Sequence, residues 1–431
     1  MDASIAIFIM FGLFIFCLVI KVPVAIALCI AGIIFTWETK LTNIDTLTQT
    51  IFATADNFPL LAVPFYILAG ELMGSGGIAK RLVVFAQAIV RRRIGGLGMI
   101  AILCCMVFAA ICGSGTATVA AIGGIMIPIM IAKGYKPGHA ASIVACGGAL
   151  GPIIPPSIFF ILYGVIANVS ISKLFLGGVL PGLLVTFTLL VANRILCRME
   201  NYPVEGERSS FKDMLAALNQ AKFALLAPVV VLGGIYGGVF TPTEAGVVSV
   251  VYCLLVGVFV HKELAFRDIP EIFMHSAMVS ASILIIMGPA SYFGKCMALA
   301  SFPQLMAEYL RMLSSSPLTF LFIVNVLLIV VGMFVEGVAA ITILTPLLVP
   351  IALSYGIDLL HFGIVITVNI AAGLFTPPFG MNLFVASRIA NIPFTKTFPF
   401  LWPLVIGVLA TLMLVVVFPF LTTWLPGVVM R

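Results

Sequence analysis

The chain of 431 residues is 62% hydrophobic and only 9% charged, with a mean hydropathy of +1.25. This composition excludes an ordinary soluble globular protein and is typical of an all-α polytopic membrane protein. The formal net charge of +6 does not indicate nucleic-acid binding, because the charged residues lie between apolar runs, as topology determinants do.

Apolar runs follow one another along the whole chain, separated by short polar links. Several are near or below the ~17 residues that a helix needs to span a bilayer, so not every run predicts a complete crossing. A further stretch, 79–90, mixes basic and apolar residues and predicts a helix in the membrane interface. The runs are 5–20, 22–35, 58–73, 97–111, 119–132, 140–167, 174–192, 223–240, 245–260, 276–290, 318–334, 339–353, 362–387 and 398–425.

Two short runs on either side of segment 112–118 predict a re-entrant helical hairpin. The linking sequence, CGSGTAT, is small and rich in hydroxyl groups, and non-helical backbone at membrane depth is tolerated only where it lines a protected cavity. Another pair of runs, joined around Glu336 and Gly337, predicts a second hairpin of the same kind. The expected tips are segments 113–116 and 336–337.

The strongest signal is an internal repeat. Segment 151–156, GPIIPP, returns as segment 373–378, GLFTPP, and a Pro-Pro pair after Gly inside an apolar run breaks a helix. Gly/Pro-interrupted segments in corresponding positions of two halves indicate the binding site of a secondary transporter. At the same spacing and without a gap, further identities pair Gly115 with Gly337, Pro128 with Pro350, Gly134 with Gly356, and His139 with His361.

Basic residues predict the orientation in the membrane. If the loop 91–93, RRR, is cytoplasmic, most other Lys and Arg residues also face the cytoplasm, in agreement with the positive-inside rule. Both termini then lie outside, and about ten crossings remain when the hairpins are not counted. The two hairpins enter from opposite sides, which predicts inverted repeats. The basic residues expected to face outward are Lys40, Lys173, Lys295, Arg311 and Arg431.

Each half therefore offers a hairpin tip and a broken helix whose unwound carbonyl groups can bind a hard cation. Half-helix ends coordinate Na⁺ in secondary transporters, and we predict two symmetry-related Na⁺ sites. The alternative is that these residues only permit close packing and helix kinks. The first site would comprise Ser114, Thr116, Gly151, Ile154 and Ser157, and the second Gly337, Gly373, Thr376 and Phe379.

The positive ends of half-helices suit a carboxylate, so we expect an anionic substrate between the two tips. Ser157, Asn369 and Asn382 are the polar candidates for binding it. Arg388 and Lys295 each either pair with the anion or extend to the membrane interface. Glu336, at the second tip, is either a functional intramembrane carboxylate or a cap on the helix that follows.

Enzyme signatures do not occur in the sequence. It contains no metalloprotease, serine-hydrolase or phosphate-loop motif. We therefore predict that the protein is not an enzyme, that it uses no organic cofactor or transition metal, and that an ion gradient or another subunit drives transport.

Several motifs together resemble the large membrane subunit of TRAP (tripartite ATP-independent periplasmic) transporters. The resemblance covers essentially the whole chain. The first tip departs slightly from the commoner pattern, since segment 116–118 reads TAT where many members carry more serine or valine. The motifs are 64–73 (PFYILAGELM), 76–82 (GGIAKRL), 113–118 (GSGTAT), 124–128 (GIMIP), 151–157 (GPIIPPS), 241–245 (TPTEA) and 373–378 (GLFTPP).

This resemblance implies an elevator-type architecture, in which a two-hairpin transport domain moves within a scaffold. It implies Na⁺-driven uptake of an organic acid across the bacterial inner membrane. It also implies two partners, a smaller four-helix membrane subunit, expected as a separate polypeptide, and a periplasmic substrate-binding protein. The sequence looks most like the sialic-acid (N-acetylneuraminate) branch, with C4-dicarboxylates as the alternative.

The same resemblance divides the chain into alternating regions. Residues 1–93 would form scaffold helices and an interfacial arm, and 169–316 further scaffold helices and a second arm. Residues 94–168 and 317–391 would form the transport region, each with one hairpin and one broken helix, and 392–431 a C-terminal scaffold helix. A stand-alone Na⁺/organic-anion carrier that needs no binding protein is the alternative function.

Overall fold

The computed structural model describes residues 3–90, 93–202, 204–205, 211–313 and 316–430. Arg91 and Arg92 of the basic loop, and Arg431, lie outside these residues. Two short strands, β1 (Arg93–Ile94) and β2 (Val204–Glu205), pair antiparallel. The α-helices are α1 (Ala3–Val19), α2 (Val24–Thr39), α3 (Ile44–Ala55), α4 (Ala62–Ser75), α5 (Ile78–Ile89), α6 (Gly96–Cys112), α7 (Gly115–Ala132), α8 (Pro137–Gly148), α9 (Ile158–Ala167), α10 (Ile171–Met199), α11 (Phe211–Tyr236), α12 (Pro242–Leu255), α13 (Ile269–Leu299), α14 (Phe302–Leu313), α15 (Pro317–Phe334), α16 (Gly337–Ser354), α17 (Leu359–Gly373), α18 (Met381–Ile389), α19 (Phe398–Val417) and α20 (Phe420–Val429).

The helices confirm a polytopic membrane protein. In the described part of the chain, nine helices are long and apolar enough to cross a membrane, and several apolar helices are shorter. A bilayer offers the backbone no hydrogen-bond partner, so each span must satisfy its own N–H and C=O groups as a helix. The shorter apolar helices are α1, α2 and α20, together with α6 of the first hairpin and α9 and α17 of the broken helices.

Both predicted hairpins are present. In the first, α6 and α7 join through Gly113, which has a left-handed φ of +63°, and Ser114, which precedes α7. In the second, α15 and α16 join through Val335 and Glu336. The second arms, α7 and α16, are both 18 residues long and begin at the paired glycines of the repeat.

Both predicted broken helices are present as well. The first consists of α8 and α9 around an unwound segment, 149–157, and the second of α17 and α18 around segment 374–380. Each unwound segment contains a cis prolyl bond at the equivalent place, Pro155-Pro156 and Pro377-Pro378. The prolines remove backbone donors and disfavour helical geometry in the residue before them, so the helix stops and restarts.

The two repeats exchange partners in their packing. The hairpin arm α7 packs on α8 of its own repeat and on α18 of the other, while α16 packs on α17 and on α9. Gly123 of α7 permits this approach, because a Cβ there would lie 3.2 Å from the Ile389 side chain of α18. The hairpins and broken helices therefore form one interlocked central unit.

Helices α10 and α19 pack chiefly against this central unit and against each other. The Thr188 and Thr411 hydroxyls lie 3.1 Å apart between the two helices. Lys136, just before α8, pairs with Glu200, just after α10, at 2.5 Å, and this hydrogen bond raises the pKa of Lys136. The expected division of the chain, which groups both helices with the scaffold, stays a prediction.

The outer helices form the rest of the molecule. Helices α1, α2, α3 and α13 share one apolar cluster, and Thr36 of α2 hydrogen-bonds with Tyr292 of α13. Helix α4 packs on α12, and α5 packs on α11. The amphipathic helix α5, expected at the interface, is held at its start by Lys80 and Arg81, which pair with Glu263 at 3.3 and 2.6 Å.

Two elements differ from the sequence expectations. Helix α3 was not predicted, because its Thr, Gln and Asp residues interrupt any apolar run. The predicted run 398–425 is not one helix, since the chain leaves helical geometry at Phe418 and restarts after Pro419. A proline cannot donate to the preceding turn, which separates α19 from α20.

Candidate functional site

The first hairpin tip lies directly on the first unwound segment. A Cβ at Gly151 would lie 2.5 Å from the carbonyl group of Ser114, and one at Gly113 would lie 2.6 Å from the carbonyl oxygen of Pro156. The Ile158 N–H, at the start of α9, donates to the Gly113 oxygen at 3.4 Å. Backbone meets backbone here, so only glycine fits at both positions.

The second half repeats this arrangement with a different tip. A Cβ at Gly373 would lie 2.6 Å from the backbone of Gly332 in α15. Gly337 at the start of α16 packs against the ring of Phe159, which belongs to α9 of the first repeat. Glu336 caps α16, since its carboxylate accepts a hydrogen bond from the Ala339 N–H at 3.1 Å. Of the two roles considered for Glu336, the helix cap is thus confirmed, and a function as an intramembrane carboxylate stays a prediction.

A cavity of about 650 Å³ lies where the two halves meet. We call it the central cavity. Its wall on one side comes from both hairpin tips and from the restarting helices α9 and α18, and on the other side from α2, α4 and α13. Its volume is that of a site for a small organic molecule. The polar or charged side chains that line it are Glu71, Ser114, Thr116, His275, Ser282 and Glu336.

Several carbonyl groups of the unwound segments are unpaired, among them those of some of the predicted ligands. Among the described residues, no hydrogen bond is made to the carbonyl oxygens of Gly151 and Ile154 in the first segment, or of Thr376 and Phe379 in the second. Ile154 and Thr376 occupy equivalent positions in the repeat. Unpaired backbone oxygens are costly in a membrane unless a cation or water binds them.

Two predicted hydroxyl ligands are held in fixed orientations. Ser157 Oγ donates to the Pro152 oxygen at 2.5 Å, and Thr376 Oγ1 donates to the Ala372 oxygen at 2.7 Å. Each hydroxyl oxygen keeps lone pairs after donating its proton. At the first tip, the hydroxyls of Ser114 and Thr116 lie 3.4 Å apart. A small cavity of about 210 Å³ beside the second tip is lined by Phe379, Glu336 and Leu374, among others.

The predicted substrate residues lie elsewhere. Asn369, Asn382 and Ser157 are fully buried, and none of them is among the described residues that line the central cavity. Asn369 donates to Asn325 Oδ1 at 2.6 Å, and Asn382 donates to the Ala145 oxygen at 3.1 Å. Arg388 is exposed in the last turn of α18. A direct substrate role for these residues stays a prediction.

An acid–imidazole pair on the outer helices was not predicted. His275 Nδ1 of α13 lies 2.6 Å from Glu71 Oε1 of α4, and both side chains line the central cavity opposite the first tip. The two residues are far apart in sequence, and neither belongs to the repeat. The one sequence feature that could have indicated this pair is Glu71, which lies inside an apolar run, because an intramembrane carboxylate requires a partner.

Comparison with known proteins agrees with this arrangement. Residues 11–421 match the family model of the tripartite ATP-independent periplasmic transporter, DctM component. The isethionate TRAP transporter permease protein DctMQ of Oleidesulfovibrio alaskensis is 41% identical over 98% of this chain, which spans 65% of that protein's length. The C4-dicarboxylate TRAP transporter large permease protein DctM of Rhodobacter capsulatus is 38% identical over 97% of this chain and 98% of its own.

Other similarities concern substrate and fold. The sialic acid TRAP transporter large permease protein SiaM of Vibrio cholerae is 37% identical over 94% of both chains. The crystal structure of the Alcanivorax borkumensis YdaH transporter superposes with a TM-score of 0.60, covering 88% of this chain and 89% of that one. Its sequence identity is 15%, so this likeness concerns the fold alone.

These findings confirm the expected fold class, with inverted repeats, two hairpins and two broken helices, and they agree with the prediction of a transport protein rather than an enzyme. The family match covers most of the chain, and the relatives are named as transporter permeases. The chain belongs to the DctM component family of the tripartite ATP-independent periplasmic transporters.

Proposed function

We propose that this chain is the large membrane subunit of a Na⁺-coupled system for uptake of an organic acid. The observation that carries the proposal is the meeting of both hairpin tips and both restarting helices at the central cavity. Half-helix ends of this kind bind anionic groups and Na⁺ in secondary transporters. Alternating access would follow from movement of the central unit past the outer helices.

The unpaired carbonyl groups support Na⁺ as the coupling ion. Gly151 and Ile154 offer backbone oxygens beside the first tip, with the Ser157 hydroxyl close to them in the chain. In the second half Thr376, the equivalent of Ile154, and Phe379 offer unpaired backbone oxygens, and Thr376 adds a hydroxyl. The oxygen of Gly373, the equivalent of Gly151, accepts from the Thr376 N–H at 3.1 Å. Neutral oxygens suit a monovalent hard cation, and the described residues contain no cluster of His, Cys, Asp or Glu that would hold a transition metal.

The charge of the central cavity gives a second argument. Its described lining includes the carboxylates of Glu71 and Glu336 and the imidazole of His275, and no Lys or Arg. An organic anion placed beside these carboxylates needs a compensating cation, because an unpaired charge is expensive to bury. Na⁺ bound at the neighbouring unwound segments would supply that charge and couple the two solutes.

The substrate class is proposed from the printed names of relatives. Those relatives, 37–41% identical, are named for isethionate, C4-dicarboxylates and sialic acid. The shared chemistry is a small organic molecule with a carboxylate or sulfonate group. Sialic acid, the acid expected from the sequence, and C4-dicarboxylates are the first substrates that we propose to test.

The partners and the location are proposed from the family. A tripartite transporter would include a small four-helix membrane subunit and a periplasmic binding protein beside this chain. We place the complex in the bacterial inner membrane with both termini in the periplasm, because that orientation keeps most basic residues cytoplasmic.

Reconstituted uptake tests the proposed function. Proteoliposomes with this chain, the small subunit and the binding protein should accumulate labelled N-acetylneuraminate, succinate or isethionate when Na⁺ is higher outside than inside. Removal of Na⁺ or of the binding protein should each abolish accumulation. Saturable uptake by this chain alone would instead favour a stand-alone carrier, and the absence of uptake of all acids would contradict the proposal.

Two hydroxyl substitutions test the Na⁺ sites. Thr376→Ala and Ser114→Ala should each raise the Na⁺ concentration for half-maximal uptake several-fold, because each removes a neutral oxygen near an unwound segment. Thr423→Ala is the control, since its exposed hydroxyl donates to the Pro419 oxygen in α20. Protein level in the membrane is measured in parallel. Unchanged Na⁺ dependence in both variants would remove these side chains from the sites.

A further inference from the structure

A second cavity, of about 660 Å³, lies apart from the central one. We call it the outer cavity. It is an open cleft between the outer helices α3 and α13 and the ends of α9 and α16 in the central unit. It shares no lining residue with the central cavity among the described residues. In the orientation proposed above, Lys295 places it on the periplasmic side.

The walls of the outer cavity differ in polarity. Every polar side chain that lines it comes from α3, the link after α3, or α13, and the wall formed by α9 and α16 is apolar. The polar wall therefore belongs to the helices that would stay fixed during transport. Its polar members are Gln49, Thr50, Thr54, Asn57, Ser291 and Lys295.

Charge separates the two cavities further. Lys295 is the one ionisable side chain among the described residues that line the outer cavity, and in that part of the chain no carboxylate lies within ion-pair distance of it. The central cavity contains Glu71 and Glu336 instead. Lys295 therefore offers a small organic anion in the outer cavity a positive partner.

Asn57 adds an uncommitted polar group to the same wall. Its side-chain oxygen is buried and has no hydrogen-bond partner among the described residues. A buried amide oxygen without a partner costs free energy that a bound hydroxyl group or water would recover. Ser291 and Gln49 lie on the neighbouring helices α13 and α3 and offer hydrogen-bond donors.

We propose that the outer cavity is an anion-binding subsite that receives the carboxylate or sulfonate of the transported acid before it reaches the hairpin tips. Lys295 binds the anion, Gln49 and Ser291 donate hydrogen bonds to it, and the Asn57 side-chain oxygen accepts from a hydroxyl group of the substrate. The subsite stays in place when the central unit moves, because its polar wall is on the outer helices. This inference rests on the proposed function for the identity of the ligand.

Uptake kinetics give the first test. In the reconstituted complex, Lys295→Gln should raise the KM for N-acetylneuraminate or succinate by about tenfold, the range for a lost charge-assisted hydrogen bond, and leave kcat unchanged. Lys295→Arg should keep most of the affinity. The control is Lys173→Gln, which removes an exposed outward-facing cation outside the cavity. A KM in Lys295→Gln equal to that of the parent would contradict the subsite.

Thiol labelling gives a test that needs no transport. With Ser291→Cys, an anionic methanethiosulfonate reagent should react several-fold faster than a cationic one, and adding Lys295→Gln should remove that preference. Succinate or N-acetylneuraminate should slow the reaction only when Lys295 is present. The parent chain, with its native cysteines, reports background labelling.

The two tests separate the failure of each proposal. If no acid is taken up, the proposed function fails, and labelling still decides whether the cavity attracts anions. Equal rates for the two reagents, together with no protection by either acid, would overturn the subsite even if uptake is robust.

Discussion

Replacing Gly151 by Ala should reduce uptake by the assembled transporter at least tenfold. The new Cβ would lie 2.5 Å from the Ser114 carbonyl group and 2.7 Å from the Gly115 nitrogen, and backbone atoms cannot give way as a flexible side chain can. The hairpin tip must then separate from the unwound segment, which displaces the unpaired carbonyls of Gly151 and Ile154. Overpacking of this kind costs about 1–3 kcal/mol or more.

Gly124→Ala is the matched control, because a Cβ at Gly124 meets nothing within 4 Å although this residue lies in the same hairpin. Gly373→Ala should behave like Gly151→Ala, since its Cβ would meet the backbone of Gly332 at 2.6 Å. The measurements are initial uptake rates and the amount of folded protein after detergent extraction. Full uptake by Gly151→Ala would show that the tip and the segment need not touch.

A disulfide between Gly74→Cys and Ala121→Cys should stop transport. Gly74 is in the outer helix α4 and Ala121 is in the hairpin arm α7, and a Cβ at Gly74 would lie 3.9 Å from that of Ala121, a distance that suits a disulfide. If the central unit slides past the outer helices, this bond joins a moving part to a fixed one. We expect complete loss of uptake on oxidation and recovery on reduction.

The matched pair is Thr188→Cys with Gly407→Cys, at a Cβ separation of 3.6 Å between α10 and α19. Because both helices pack on the central unit, this bond should leave uptake intact. Each single-cysteine variant controls for the native thiols. Loss of uptake from the second pair as complete as from the first would show that transport needs movement between α10 and α19. The loss in the first pair would then not identify the central unit as the moving part.

The repeat made much of the site predictable from the sequence. Gly and Pro act locally on the backbone, so the segments GPIIPP and GLFTPP determine where a helix must stop, whatever surrounds them. The hairpins follow from equally local signals, namely short apolar runs and small tip residues. These elements were therefore found at the expected places.

Features that depend on packing between distant elements could not be predicted in this way. The pairing of Glu71 with His275 and the polar wall around Lys295 both depend on how α13 lies against α3 and α4. The amphipathic helix α3 has no apolar run, and none of its residues is buried. The burial of Asn369 and Asn382 likewise depends on contacts between helices, and these contacts cannot be inferred from the sequence of one segment.

The exchange of partners between the repeats has a consequence for synthesis. Helix α7 leaves the ribosome roughly 250 residues before α18, which at about 5–20 residues per second is a delay on the order of ten seconds or more. Until then α7, the glycine-rich arm of the first hairpin, lacks its contacts with α18, and α9, which follows the first unwound segment, lacks its contacts with α16. We therefore expect the first half to stay in contact with the insertion machinery, or to remain at the membrane surface, until the second half has been synthesised.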